Sequence, residues 1–128
     1  MIYVDSSVFI AHLLSEDRRP SLDLWHESVA SSRLLEIEAW NRLHAPARED
    51  LGDALRALLD RLYLLEMDTV VLGRAIEPFP IPIRALDAIH LATADYLRTT
   101  GRDVAIATYD ARMRGAAERM GFELYPLE

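Results

Sequence analysis

Along this chain, short apolar runs alternate with segments whose apolar positions recur at helical spacing, a pattern that predicts strands separated by helices. Ile2 to Val4 reads as a buried strand, and SSVFIAHLL after it turns helical, with Val8, Ile10, Leu13 and Leu14 as its apolar positions. The charged run from Ser15 to Ser21 is a connection, and Pro20 followed by Ser21 prepares a second helix through LDLWHESV. A further helix runs from Leu34 to about His44. Pro46 suits the first turn of a longer one from about Ala47 to Tyr63, whose inward stripe is Leu51, Leu55, Leu58, Leu59 and Leu62.

Beyond that stripe, Leu64 to Met67 reads as a short strand and Thr69 to Ile76 as a short helix. Pro78, Pro80 and Pro82 make EPFPIPI a restrained connection, because proline removes helix donors and restricts the residue before it. A helix from about Leu86 to Thr99 is ended by Gly101. Val104 to Ala107 is then a strand, Ala111 to Met120 a helix stopped by Gly121, and Phe122 to Tyr125 the last strand. Strands alternating with helices imply parallel crossovers, hence an α/β fold: a three-layer α/β/α sandwich with a mostly parallel central sheet.

With 128 residues, 51% of them hydrophobic, the expectation is a single domain over residues 1–128 with a sizeable core. The apolar segments are each too short or too interrupted to cross a membrane, and no basic leader precedes Ile2, so a soluble cytoplasmic protein is expected. The absence of cysteine excludes disulfides, thiolate catalysis and Cys-ligated metal centres. All 14 basic residues are arginine, which excludes lysine Schiff bases and phosphate loops of the GKS or GKT type. A net charge of −7 argues against broad, nonspecific coating of nucleic acid, whose affinity grows with the number of phosphates neutralised. It leaves room for a nuclease, because an acidic site contributes to that charge and a bound divalent cation inverts the local field.

Four acidic residues stand where strands stop or helices run: Asp5 in IYVDSSVF, Glu38 in LLEIEAW, Asp87 in IRALDAIHLATA and Asp110 in IATYDARM. In a parallel sheet, sites form beyond the carboxyl ends of the strands, where Asp5 and Asp110 both lie. Converging carboxylates repel unless a divalent cation or a proton neutralises them, so the residues point to a metal-dependent phosphodiesterase acting on RNA. Asp5 and Asp110 would hold Mg²⁺ or Mn²⁺ directly or through water, with Asp87 and Glu38 completing the cup and one of these two accepting the proton of the attacking water. Asp5 and Asp110 also suit helix caps, and Glu36 competes with Glu38 for its assignment. Ser6 would support Asp5, and Thr108 would orient Asp110 or donate to a phosphate. His90, three residues after Asp87, reads as a packed or hydrogen-bonded histidine ahead of a metal ligand. Arg42, Arg84 and Arg112 lie near the acidic elements as candidate RNA contacts, with Arg18 and Arg19 in reach on their loop.

Taken together, IYVDSSVFIA, SSRLLEIEAWNRL, RALDAIHLATA and IATYDARMRGAAERMGFELYP resemble a PIN domain, specifically the VapC-like ribonuclease toxins of prokaryotic toxin–antitoxin pairs, over almost the whole chain. The resemblance implies that Asp5, Glu38, Asp87 and Asp110 surround Mg²⁺ or Mn²⁺, with Thr108 as a supporting polar residue. It further implies endoribonuclease action on RNA, in some relatives tRNA, homodimerisation, and inhibition by a small cognate VapB-like antitoxin. Trp25, Trp40, Leu22 and Leu43 would line a groove for such a partner, or else belong to the core, the better reading for a lone aromatic. A phospho-acceptor domain would want a lysine that this chain lacks, and an aspartate-nucleophile phosphatase would want a second acid close to Asp5. A noncatalytic RNA- or antitoxin-binding module is the alternative of a different class.

Overall fold

Strands β1 (Ile2–Val4), β2 (Val29–Ser32), β3 (Leu62–Leu65), β4 (Ala105–Ala107) and β5 (Glu123–Leu124) form one sheet in a computed structural model that describes residues 1–128. Their order is β3-β2-β1-β4-β5 and every pairing is parallel. Side chains alternate across a strand, so the inner strands feed both layers of core. Ile2 and Val4 of β1 face one cluster, with Val29 and Ala107 beside them, while Tyr3, Ala30 and Ile106 face the other.

The first cluster is closed by α1 (Ser6–Leu13), α2 (Leu34–His44) and α3 (Gly52–Leu59), which contribute Val8 and Phe9, Leu35 and Leu43, and Leu55 and Leu58. The second is closed by α5 (Ala85–Thr99) and α6 (Ala111–Arg119), through Leu91, Ala94 and Leu97 and through Met113, Ala116 and Ala117. The alanines among them, Ala94, Ala116 and Ala117, let the two helices lie close to the sheet. Helix α4 (Thr69–Ala75) packs along α5. The result is the three-layer arrangement expected from the sequence. No helix is long and apolar enough to cross a membrane.

Helix boundaries follow local chemistry. Asp5, Asp68 and Asp110 cap α1, α4 and α6 by accepting the N–H groups of Val8, Val71 and Met113. Gly121 ends α6 with φ of +86°; its N–H reaches Glu118 O, and that of Phe122 reaches Ala117 O, a pair of bonds that closes the helix end.

Three expected elements differ. The second helix through LDLWHESV is only a 3-10 turn over Leu22–His26, and its last residue instead begins β2. That strand was hidden because Ser31 and Ser32 are buried polar residues: Ser31 Oγ donates to Val4 O, and Ser32 Oγ accepts from Leu34 N–H. The long helix from Ala47 to Tyr63 is also shorter. Ala47 has φ of 56°, outside the right-handed region; a 3-10 turn spans Glu49–Leu51, α3 stops at Leu59, and Leu62 lies in β3. Strand β3 accordingly sits two residues earlier than expected. Of the proposed partner groove, Leu43 and Trp25 are core and Trp40 packs against it, leaving only Leu22 strongly exposed.

Candidate active site

Strand order reverses direction between β1 and β4, since the chain builds β2 and β3 on one side of β1 before crossing to add β4 and β5 on the other. At such a switch point the loops leaving the two strands diverge and open a crevice. A cavity of about 750 Å³ lies there, lined by Asp5, Glu38, Asp87 and Asp110 together with Glu16 and three arginines, Arg18, Arg42 and Arg84. The four carboxylates come from four places: the end of β1, the middle of α2, the first turn of α5 and the loop after β4.

Asp5 is 3% exposed, and burial pushes its carboxyl above the usual range against the opposing pull of Ser7 and Thr108. Its Oδ1 accepts from Ser7 Oγ at 2.6 Å and from Val8 N–H at 3.3 Å, while Thr108 Oγ1 donates to Oδ2. A carboxylate offers about four acceptor positions, so three donors leave one free on Oδ2. The two hydroxyls also organise the neighbouring loop, since Ser7 Oγ accepts Tyr109 N–H and Thr108 Oγ1 accepts Asp110 N–H, each at 3.0 Å. Thr108 therefore acts on Asp110 through its backbone. Ser6, expected beside Asp5, instead donates to Glu38 Oε2 at 3.2 Å. Ser7, not Ser6, serves Asp5; a rotation of one helical position decides between two adjacent serines.

Glu38 faces the cavity, whereas Glu36 pairs with Arg33 at the surface at 3.8 Å. The second oxygen of Glu38, Oε1, is 2.7 Å from His90 Nε2. Asp110 caps α6 with Oδ1 and pairs through Oδ2 with Arg84 at 3.3 Å, so capping and facing the cavity coexist. Asp87 differs from both. Its Oδ2 is buried, lies 3.5 Å from Arg84 Nε, and still accepts no hydrogen bond. Burial first, then the charge of Asp110, push the Asp87 carboxyl upward, with Arg84 opposing.

The arginines divide by position. Arg84 bridges Asp87 and Asp110; Arg18 stacks over the Tyr109 ring at 4.7 Å. Arg42 borders the same cavity. Arg112 stands outside it, on a shallower depression shared with Arg84 and Asp110, and Arg19 turns back to bond the carbonyls of Ser15 and Glu16.

No group of three or more His, Asp or Glu side chains is arranged to hold a metal ion in common as the side chains stand. The donor set nevertheless has the chemistry of a hard divalent cation: carboxylate oxygens, an excess of negative over positive residues around the cavity, and one buried oxygen lacking a hydrogen-bond partner. The Arg84 guanidinium supplies the countercharge in this structure.

Residues 2–119 match the PIN domain family. Ribonuclease VapC46 of Mycobacterium tuberculosis (strain ATCC 25618 / H37Rv) is 38% identical over 125 residues, covering 94% of this chain and 92% of that protein. Ribonuclease VapC47 of M. tuberculosis (strain CDC 1551 / Oshkosh) is 32% identical over 130 residues, covering 95% and 93%. Among solved structures, M. tuberculosis VapC20, described as a sarcin–ricin loop cleaving toxin, superimposes with a TM-score of 0.72 at 20% identity, over 98% of this chain and 100% of that one. A toxin–antitoxin complex from Klebsiella pneumoniae gives 0.65 at 19% identity over 88% of each chain. At those identities the structural likeness speaks for the fold.

Proposed function

The chain belongs to the PIN-domain family and is closely related to mycobacterial VapC ribonuclease toxins, and from that premise we propose that it is a metal-dependent endoribonuclease, the toxin of a toxin–antitoxin pair. The observation that carries this reading is the meeting of Asp5, Glu38, Asp87 and Asp110 around one cavity at the strand ends. In the proposal, residues 1–128 form a single ribonuclease domain, working in the cytoplasm and held in check by a small VapB-like antitoxin.

Asp5 and Asp110 would hold Mg²⁺ or Mn²⁺, with Asp87 and Glu38 close by; octahedral Mg²⁺ keeps several waters, so all four need not be direct ligands. The bound cation would make water a better nucleophile and stabilise charge developing on the phosphoryl oxygens. The protein's own residues do the rest. Ser7 and Thr108 fix the Asp5 carboxylate from behind, leaving an acceptor position of Oδ2 available. As water attacks phosphorus, the P–O bond to the leaving ribose oxygen breaks, that oxygen takes a proton from solvent, and the attacking water must give its own proton to a side chain. Each oxygen of Glu38 already holds one donor, Ser6 or His90, whereas Asp87 Oδ2 accepts none, which makes Asp87 the better placed of the two to take the proton. Arg42 and Arg84 bind the phosphates of the RNA, with Arg112 further out along the strand, and an RNA phosphate draws the Arg84 guanidinium off the two carboxylates.

The partners follow in the same reading. The chain pairs with a second copy of itself, and the antitoxin covers apolar surface such as Leu22; size-exclusion chromatography with light scattering measures both assemblies. The function is tested by cleavage of end-labelled cellular RNA, including tRNA, with purified antitoxin-free protein in EDTA, Mg²⁺ and Mn²⁺. Discrete metal-dependent cuts that vanish in a folded Asp5→Asn variant are the expected result. RNA or antitoxin binding without cuts in any cation would instead make the chain a noncatalytic binding module.

A further inference from the structure

Tyr3 is the middle residue of β1, so its side chain projects opposite to those of Ile2 and Val4, toward α5. It is fully buried, and a phenol carries its proton at neutral pH. That proton needs an acceptor. Tyr3 Oη lies 2.7 Å from His90 Nδ1, with the two rings edge to face at 5.8 Å. The nearby hydroxyls of Ser31 and Thr93 donate to backbone carbonyls, Val4 O at 2.6 Å and Ile89 O at 2.7 Å, so neither offers a proton to His90 Nδ1 in place of the phenol.

If the phenol donates to Nδ1, that nitrogen is bare and the imidazole carries its hydrogen on Nε2. Nε2–H points at Glu38 Oε1, 2.7 Å away, and Ser6 holds the other oxygen. His90 is only 1% exposed and does not border the cavity, whereas Glu38 does. The imidazole thus makes its hydrogen bond to the cavity wall through the Glu38 carboxylate.

We propose that Tyr3 and His90 are positioning residues for Glu38: the Tyr3 hydroxyl fixes the tautomer of His90, and Nε2–H of His90 fixes the carboxylate at the wall of the cavity. The proposal rests on the ribonuclease reading of that cavity. Glu36, two positions earlier on α2, has no such partner and pairs with Arg33 at the surface. A glutamate has three side-chain torsions to order; two buried rings linked by a short hydrogen bond remove that freedom before a cation or RNA arrives.

The first measurement is the tautomer of His90 in the metal-free wild-type protein, by long-range ¹H–¹⁵N correlation, with His90→Gln identifying the signal. An Nε2–H tautomer is expected; an Nδ1–H tautomer overturns the proposal, and this result needs neither metal nor RNA. The second is a series of variants checked for folding. Loss of a residue supporting a metal site typically costs about 10- to 100-fold in metal affinity or activity, so His90→Leu should lose that much kcat and Mn²⁺ affinity by calorimetry, with KM for RNA little changed. His90→Gln, which keeps an amide donor toward Glu38, should recover most of the loss, and Tyr3→Phe should fall between them. Wild-type binding and cleavage matched by His90→Leu overturn the relay alone. A wild-type protein that binds no Mn²⁺ and cuts no RNA overturns the ribonuclease reading and takes the catalytic part of the relay with it.

Discussion

Asp5 and Asp87 lie on two sides of one cavity, and burial pushes both carboxyls upward, yet the protein treats them in opposite ways. On the strand side, Asp5 is surrounded by donors from Ser7, Val8 and Thr108, and the same hydroxyls tie down the backbone that carries Asp110. On the helix side, Asp87 Oδ2 is buried without a hydrogen bond and has the mostly exposed Arg84 for company. The difference separates what folding fixes from what stays exchangeable. Fixed dipoles make a preorganised floor, while an arginine reaching in from solvent can give way to another cation.

Asp87→Asn should have the largest effect, because it removes the proposed proton acceptor. Cleavage measured in single turnover should fall by about 10²- to 10⁴-fold with the fold intact by circular dichroism. Retained activity would move the proton to Glu38. Next comes the floor itself. Thr108→Val takes a donor from Asp5, in buried surroundings, and an acceptor from the part-buried Asp110 N–H, and should cost about 1–3 kcal/mol in urea denaturation. An unchanged midpoint would mean that the strand side is not braced as described.

Arg84→Gln probes the exchangeable side and should be tolerated by the fold, because the side chain is 74% exposed. Mn²⁺ binding should tighten severalfold, while the salt slope for RNA binding falls by about 0.7, the share of one single-strand phosphate contact. Arg42→Gln, which lines the same cavity without bridging the acids, is the control that should not tighten Mn²⁺ to the same degree.

The smallest effect lies away from the cavity, where Trp25 Nε1–H donates to His12 Nδ1 at 3.1 Å. Burial, then the charge of Arg19, hold the His12 imidazole below its ordinary 6.5. The unfolded chain therefore binds a proton before the native one does. The associated stability is complete above pH 6.5 and is lost as pH falls through the window between 6.5 and the lowered native value. Comparing urea midpoints of the wild type and His12→Asn at pH 7.5 and 5.5 should show the wild-type advantage shrinking at the lower pH; a constant difference would remove His12 from the account.

Legibility in the sequence varied with the kind of signal. Asp5 and Asp110 were readable because a charge placed between an apolar triplet and a helical run is a local pattern, and both do cap the helices that follow them. The sheet was readable except at β2, where VASS lacks an apolar run; its identity as a strand comes from pairing with β1 and β3. The start of α3 was misplaced because Pro46 suggested a first turn, while Ala47 takes a left-handed conformation instead.

What the sequence determined by itself was the alternation of strands and helices, the caps, and the stock of carboxylates and arginines without lysine or cysteine, because each depends on residues near one another or on composition alone. Only the tertiary structure decided that Glu38 and not Glu36 faces the cavity, that Ser7 serves Asp5 while Ser6 serves Glu38, and that Tyr3 reaches His90 across 87 positions of chain. Those choices depend on how helices rotate against a parallel sheet, and that rotation is set by packing between distant segments, which no local pattern records.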